Sequence, residues 1–244
     1  MEQPIINYNI VDKNLKEETN VLTLCPIPGS INIDKIKEEI TNYMAPRKPF
    51  YESTKRSPYI EDEFSEYFTA MSSGGYEIGR GHCGMDVKTK NNEGIDAMCV
   101  IMNGSMSNEK SIIQNFKSSG SNLDLLFKDK NDDEAVELFM NDYKNKLENV
   151  KDDKNLTDMY ILAYISTNSD IYLACLKIDI SRINFVSSGG FVEGKKKECV
   201  NIIVDNFIDS EIGKVNLYKS KKRVELRFKP EILQKKYVDK IYSM

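Results

Sequence analysis

Ile33, Ile36, Ile40 and Met44 recur at helical spacing, with Asn32 or Asp34 placed to cap the run and Pro46 to end it. An amphipathic helix is predicted there. The stretch from Arg47 to Pro58 holds Pro49, Pro58 and the basic residues Arg47, Lys48, Lys55 and Arg56, and reads as an exposed loop or arm. A second helix follows, with Ile60, Phe64, Tyr67, Phe68 and Met71 as its apolar stripe, Glu63 at the edge and Glu66 turned toward solvent. Ser72-Ser73-Gly74-Gly75 stops it.

From Tyr76 to Met102 the pattern changes to short extended runs broken by glycines and by Asn91-Asn92, which predicts a three-strand meander. Ser107 to Lys117 reads as a helix, Leu123 to Phe127 as a short piece, and Asp133 to Val150 as a longer helix. Met159 to Thr167 and Ile171 to Ile180 flank Asn168-Ser169-Asp170 as a hairpin. Further strands are expected over Phe185 to Val192, Val200 to Phe207, Lys214 to Lys219 and Arg223 to Lys229, and Pro230 opens a last helix carrying Ile232, Leu233, Tyr237, Val238 and Ile241. The fold class is therefore α/β in the mixed α+β sense. It has a central mixed sheet with a three-strand meander flanked by helices, plus a β-rich C-terminal portion, all in one domain over residues 1–244.

Composition narrows the function classes. The 244 residues are 40% hydrophobic and 30% charged, which suits a globular chain rather than a fibrous or disordered one. Neither an apolar run of membrane-spanning length nor a signal-peptide pattern stands out, so a cytoplasmic protein without membrane contact is expected. Cys25, Cys83, Cys99, Cys175 and Cys199 form no CxxC pair, which argues against a zinc module or disulfide scaffold. With 34 basic and 38 acidic residues the net charge is −4, so nucleic acid would have to be met by a local basic surface rather than by bulk charge.

Asp96 is the most informative single residue. It sits inside Gly94 to Met102, apolar at nearly every position, and so in a strand expected to be covered on both faces. A carboxylate there needs a cation, a metal or several donors, because desolvating an unpaired charge costs several kcal/mol. If the Asn91-Asn92 region turns the chain, Asp86 lands beside Asp96, and Lys88 projects from the same face as Asp86. Two carboxylates and an ammonium suit phosphodiester hydrolysis, with the carboxylates holding Mg²⁺ and the lysine orienting or activating water. The plainer reading makes Asp86 and Lys88 ordinary strand residues, with Asp96 satisfied by amides or a surface lysine.

This order of elements resembles the PD-(D/E)XK nuclease superfamily, to which many type II restriction endonucleases belong. The resemblance rests on a helix with acidic Glu63 at its edge, three strands bearing Asp86 and then Asp96-Ala97-Met98, and a following helix. It covers residues 59 to 180, with residues 181–244 as a basic, β-rich addition. The resemblance implies metal binding by Asp86 and Asp96. The chain departs from the family where its motif lysine would stand, since that position is Met98, and no proline precedes Asp86; Lys88 or Lys110 would have to substitute. A rival placement makes Asp96 the lone second-strand acid and Asn115-Phe116-Lys117 a degenerate third motif; it ranks lower because Ser107 to Lys117 looks helical.

Two other segments carry potential chemistry. Gly79-Arg80-Gly81-His82-Cys83-Gly84 holds the single histidine but matches neither the dinucleotide fingerprint nor the P-loop, and a role for His82 as a base competes with a structural turn. Lys214 to Lys229 carries Lys214, Lys219, Lys221, Lys222, Arg223, Arg227 and Lys229 against the single acid Glu225. On a β-ribbon Lys219, Lys221, Lys222, Arg223 and Arg227 would meet double-stranded DNA; alternatively the lysines guard a sheet edge against aggregation. The combined expectation is a Mg²⁺-dependent, sequence-specific DNA endonuclease of restriction type acting as a homodimer. The alternative is a non-catalytic nucleic-acid-binding or phage-defence regulatory protein.

Overall fold

Asn32 starts the first helix, α1 (Ile33–Met44), by accepting the Lys35 N–H at 3.1 Å with its side-chain oxygen, and the helix buries Ile36, Ile40, Tyr43 and Met44. The computed structural model describes residues 20–78, 84–107, 112–115, 132–193, 200–218 and 223–244. Ahead of α1 lies β1 (Leu22–Cys25); after it come α2 (Lys48–Thr54) and α3 (Asp62–Ser73). The meander is β2 (Tyr76–Glu77), β3 (Val87–Lys88) and β4 (Gly94–Asn103), all antiparallel neighbours as the sequence predicts.

Beyond it stand β5 (Met106–Ser107), β6 (Ile112–Asn115), α4 (Asp132–Asp153), β7 (Met159–Ser166), β8 (Asp170–Ile178), β9 (Ser187–Glu193), β10 (Val200–Asp205), β11 (Gly213–Tyr218), β12 (Arg223–Phe228) and β13 (Val238–Ser243). Two sheets result, an α+β architecture whose first sheet is mixed. The first runs β1-β8-β7-β4-β3-β2, with β13 also on β8 and β5 on β4; the second runs β6-β12-β11-β10-β9. In the first, β4 and β7 are parallel and in register from Gly94 opposite Met159 to Ile101 opposite Ser166. Such a pair needs a crossover, and α4 lies in it.

β4 shows why its whole run is apolar. Ile95, Ala97 and Cys99 pack with α1 and α3, whereas Met98, Val100 and Met102 pack with α4 residues Phe139, Tyr143 and Leu147. The α4 cluster also takes in Ile202, Val204, Val215, Leu217, Val224 and Leu226 of the second sheet, so one helix is packed by both sheets. Each fully buried Leu, Ile, Val or Phe side chain contributes about 1.5–3 kcal/mol through removal from water.

Three expectations are corrected. In place of a helix over Ser107 to Lys117, Met106–Ser107 and Ile112–Asn115 are strands, the latter on the edge of the second sheet beside β12. This also withdraws the helical argument against placing a motif at Asn115. In place of a last helix after Pro230, a 3-10 turn over Pro230–Gln234 leads into β13. Val238 and Ile241 are three apart and so fit one helix face, but on a strand they point to opposite faces, and both faces of the sheet are covered. Finally, the face of α3 is rotated. Tyr67 and Met71 are 44% and 40% exposed, while Phe68 is buried together with Ser65, Thr69, Ser72 and Ser73. These hydroxyls are satisfied on carbonyls one turn back, from Ser65 on Asp62 to Ser73 on Ala70, which lets a polar face lie on the sheet. Thr69 adds a 2.9 Å hydrogen bond to the buried Tyr164 hydroxyl.

The stretch read as an arm contains α2, with Phe50 exposed. The Leu123 to Phe127 piece lies outside the described residues. Among the described residues no helix is long and apolar enough to cross a membrane.

Candidate active site

Asp86 stands one residue before β3, yet its backbone already belongs to the ladder: its N–H donates to Ile95 O and its carbonyl accepts from Ile78 N, both at 2.8 Å. That register sets Asp86 beside the Asp96 segment of β4. Asp86 Oδ2 accepts the Ala97 N–H at 2.8 Å, and the two carboxyls are hydrogen-bonded to each other.

Burial raises the pKa of both groups, most strongly that of Asp96, which also meets the charge and the hydrogen bond of Asp86. The Ala97 amide and the Asp96 hydrogen bond partly offset the rise on Asp86. Two hydrogen-bonded carboxyls in a buried site cannot both ionise cheaply, which favours the protonated form of Asp96.

The sequence anticipates a lysine here, and the structure supplies a different one. Lys88 sends its ammonium to the carbonyl of Lys154 at 2.6 Å, just past the C-terminal end of α4, where unpaired carbonyls attract cations. Lys146 of α4 is the lysine whose charge is felt by both Asp86 and Asp96. Its end lies against Gly84, where φ is +80° and an added Cβ would stand 3.0 Å from Lys146 Cε and 3.5 Å from Nζ. The sequence reading does not single out Lys146, which lies among acidic residues in the helix expected over Asp133 to Val150. The available signal is its place beside Tyr143, Leu147 and Val150, all buried at i−3, i+1 and i+4.

α3 contributes an acid, but not the expected one. Glu63 is exposed, whereas Glu66 is half-buried and its carboxyl is pushed up to about 7, first by burial and then by the charges of Asp86, Glu77, Asp62 and Glu63. The rotation of α3 accounts for the exchange. Tyr143, buried beneath the site, has its hydroxyl pKa raised by burial and by the Asp96 charge. Met98, where the family lysine would stand, is buried in the core against α4.

Mg²⁺ is commonly held by one or two protein carboxylates with water and substrate phosphate completing its shell. Among the described residues no group of three or more His, Cys, Asp or Glu side chains is placed to hold a metal, so a two-carboxylate site is the relevant test. Asp86 and Asp96 are hard oxygen donors, adjacent and desolvated, with the charge of Asp62 acting on the first and that of Glu66 on the second.

The basic segment divides. Arg223 and Arg227 flank Glu225 on β12, whose carboxylate is fully buried; Arg223 Nε reaches Oε1 at 2.7 Å, and Arg227 reaches Oε2 through Nε at 3.0 Å and a terminal nitrogen at 2.7 Å. Their guanidinium forks are engaged on a carboxylate in this structure. Lys219, Lys221 and Lys222, together with Arg80, His82, Cys83 and Lys110, lie outside the described residues. Compared with known proteins, the sequence matches no family model, no curated protein and no solved structure.

Proposed function

We propose that the chain is a Mg²⁺-dependent phosphodiester hydrolase of the PD-(D/E)XK type, cutting double-stranded DNA as a restriction-like homodimer in the cytoplasm. The observation that carries this reading is the hydrogen-bonded, buried Asp86–Asp96 pair with the Lys146 ammonium acting on both carboxyls. The element order supports it in part, since α3 precedes the meander β2-β3-β4 and a crossover helix comes later, that helix being α4, reached after β5 and β6.

Asp86 and Asp96 would hold the metal, which when bound supplies Lewis-acid stabilisation of phosphoryl oxygens and lowers the pKa of water. Lys146 opposes the negative charge of the site and is placed to orient a scissile phosphate or an attacking water. Glu66, titrating near 7, can accept a proton and release it at neutral pH. A homodimer fits because two related sites cut both strands of a symmetric sequence.

A second reading, a non-catalytic nucleic-acid-binding or phage-defence regulator, is favoured by Met98 in the core and by Lys88 held on a helix carbonyl. Plasmid incubation with Mg²⁺ or Mn²⁺ separates the two. Cleavage by the wild type that disappears in Asp96→Asn supports the hydrolase. Salt-sensitive duplex binding without product, across varied sequences and methylation states, supports the regulator.

A further inference from the structure

Cys25 and Cys175 face each other across the first sheet. β1 and β8 are antiparallel, and their register sets the two cysteines directly opposite, with Sγ atoms 3.7 Å apart. Opposed residues in an antiparallel ladder have Cα atoms about 4.5 or 5.5 Å apart. Either spacing falls inside the roughly 4.4–6.8 Å that a disulfide spans. Both thiols are free, so closing the bond asks for a side-chain adjustment of about 2 Å with the strands left in register.

The two sulfurs are not equivalent. Cys175 is fully buried, whereas Cys25 is partly exposed near the sheet edge, with the Lys177 charge acting on it. Cys25 Sγ donates to the sulfur and the carbonyl of Cys175, each at 3.7 Å; the contact between the thiols and the nearby Lys177 lower the Cys25 pKa, while the same contact and burial raise that of Cys175. An accessible sulfur that reacts first and a buried one that resolves it stand side by side.

We propose that Cys25 and Cys175 are a reversible redox pair, closed to a cross-strand disulfide by a hydroperoxide and reopened by a dithiol. The Cys25 thiolate attacks the terminal peroxide oxygen; the O–O bond breaks, Cys25 becomes a sulfenic acid and the leaving oxygen departs as water or alcohol. Cys175 sulfur then attacks Cys25 sulfur, the S–O bond breaks, and the Cys175 proton leaves with the hydroxyl as water. Two electrons pass from the thiols to one peroxide, and two hydrogens are lost from the protein. The closed bond fastens β1, which also donates from Leu22 N to Phe207 O at 2.7 Å beside the second sheet, onto β8, the second strand of the first.

The test is hydrogen peroxide on the full chain, followed by thiol counting and peptide mapping without reductant. Reactive thiols in the unfolded protein should fall from the five cysteines of the sequence to three, with the Cys25 peptide joined to the Cys175 peptide. The Tm should rise by roughly 10 °C, and dithiothreitol should reverse both effects. Mapping on the wild type decides the matter even if Cys175→Ser fails to fold. Five thiols after treatment, a bond that joins either cysteine to Cys83, Cys99 or Cys199 instead, or Cys25 recovered as sulfinic acid with Cys175 still free would each overturn the proposal.

Discussion

Asp86 accepts the backbone N–H of Ala97, the residue that follows Asp96, while its carboxyl is hydrogen-bonded to that of Asp96. Strand register and acid chemistry are thereby one feature: the ladder that aligns β3 with β4 also forces two carboxyls into a site that tolerates one charge.

Replacing Asp96 by Asn should stabilise the fold at neutral pH while abolishing metal-dependent cleavage. Its folded pKa is raised, so the native state favours the protonated form. That advantage is complete below the ordinary carboxyl value near ~3.9 and is lost as pH rises through the raised folded value. Asn is neutral throughout, so the variant should match the wild type in acid and exceed it at pH 7, by roughly 2–4 °C in Tm per kcal/mol of relieved repulsion. Thermal melts across pH check this, and added Mg²⁺ should raise the Tm of the wild type only.

Lys146 and Lys88 should separate cleanly in a cleavage assay. Lys146→Ala removes the ammonium that acts on both carboxyls and should lower kcat by about 10²–10³, in the range of other lost electrostatic contacts. Lys88→Ala should keep its rate within a few-fold, because its ammonium is spent on the Lys154 carbonyl. Equal losses in the two variants would sink the assignment of Lys146.

Gly84 and Gly104 provide a matched pair. Both have positive φ, +80° and +72°, so an alanine at either should cost about 1–2 kcal/mol of backbone strain. Only at Gly84 does the new methyl meet Lys146, at 3.0 Å from Cε; at Gly104 it meets nothing within 4 Å. Gly84→Ala should therefore lose activity beyond its loss of Tm, and Gly104→Ala should lose Tm alone.

On β12, Glu225→Ala should be severely destabilising, by about 3–5 kcal/mol, because it leaves Arg223 and Arg227 half-buried without their carboxylate. Lys221→Ala combined with Lys222→Ala should leave the Tm nearly unchanged. If these lysines meet phosphates, the slope of log K against log salt should shift by about 1.8, from 0.9 per contact. Denaturant melts and binding titrations at several salt concentrations check the two halves independently.

Much of the site was legible because it depends on alternation. A carboxylate amid Ile95, Ala97 and Met98 announces itself, and a turn near Asn91-Asn92 brings Asp86 alongside; both carboxyls are where the pattern places them. Glu66 and Lys146 were not legible, and the reasons differ. Glu66 needed the phase of α3, which its aromatic residues misreport because the helix lays serines and a threonine on the sheet. Lys146 needed the packing of α4 against the sheet, a long-range relation between elements that no local spacing encodes. The strand at Ile112–Asn115 escaped for a similar reason, its pairing partner β12 lying over a hundred residues further along the chain.

The last described strand is also part of the first sheet. β13 covers β8 over residues 170–174 while β1 covers it over 175–178, so one edge of β8 is shielded by segments from opposite ends of the chain. During synthesis, then, the sheet that bears Asp86 and Asp96 stays unfinished until residue 243 has emerged, with an apolar strand edge open for as long as the preceding 65 or so residues take to be made, some ~3–13 s at ~5–20 residues per second. Translation speed over that interval sets how long the nascent chain is exposed to pairing with its neighbours on the same message, and slowing it should favour aggregation over native yield.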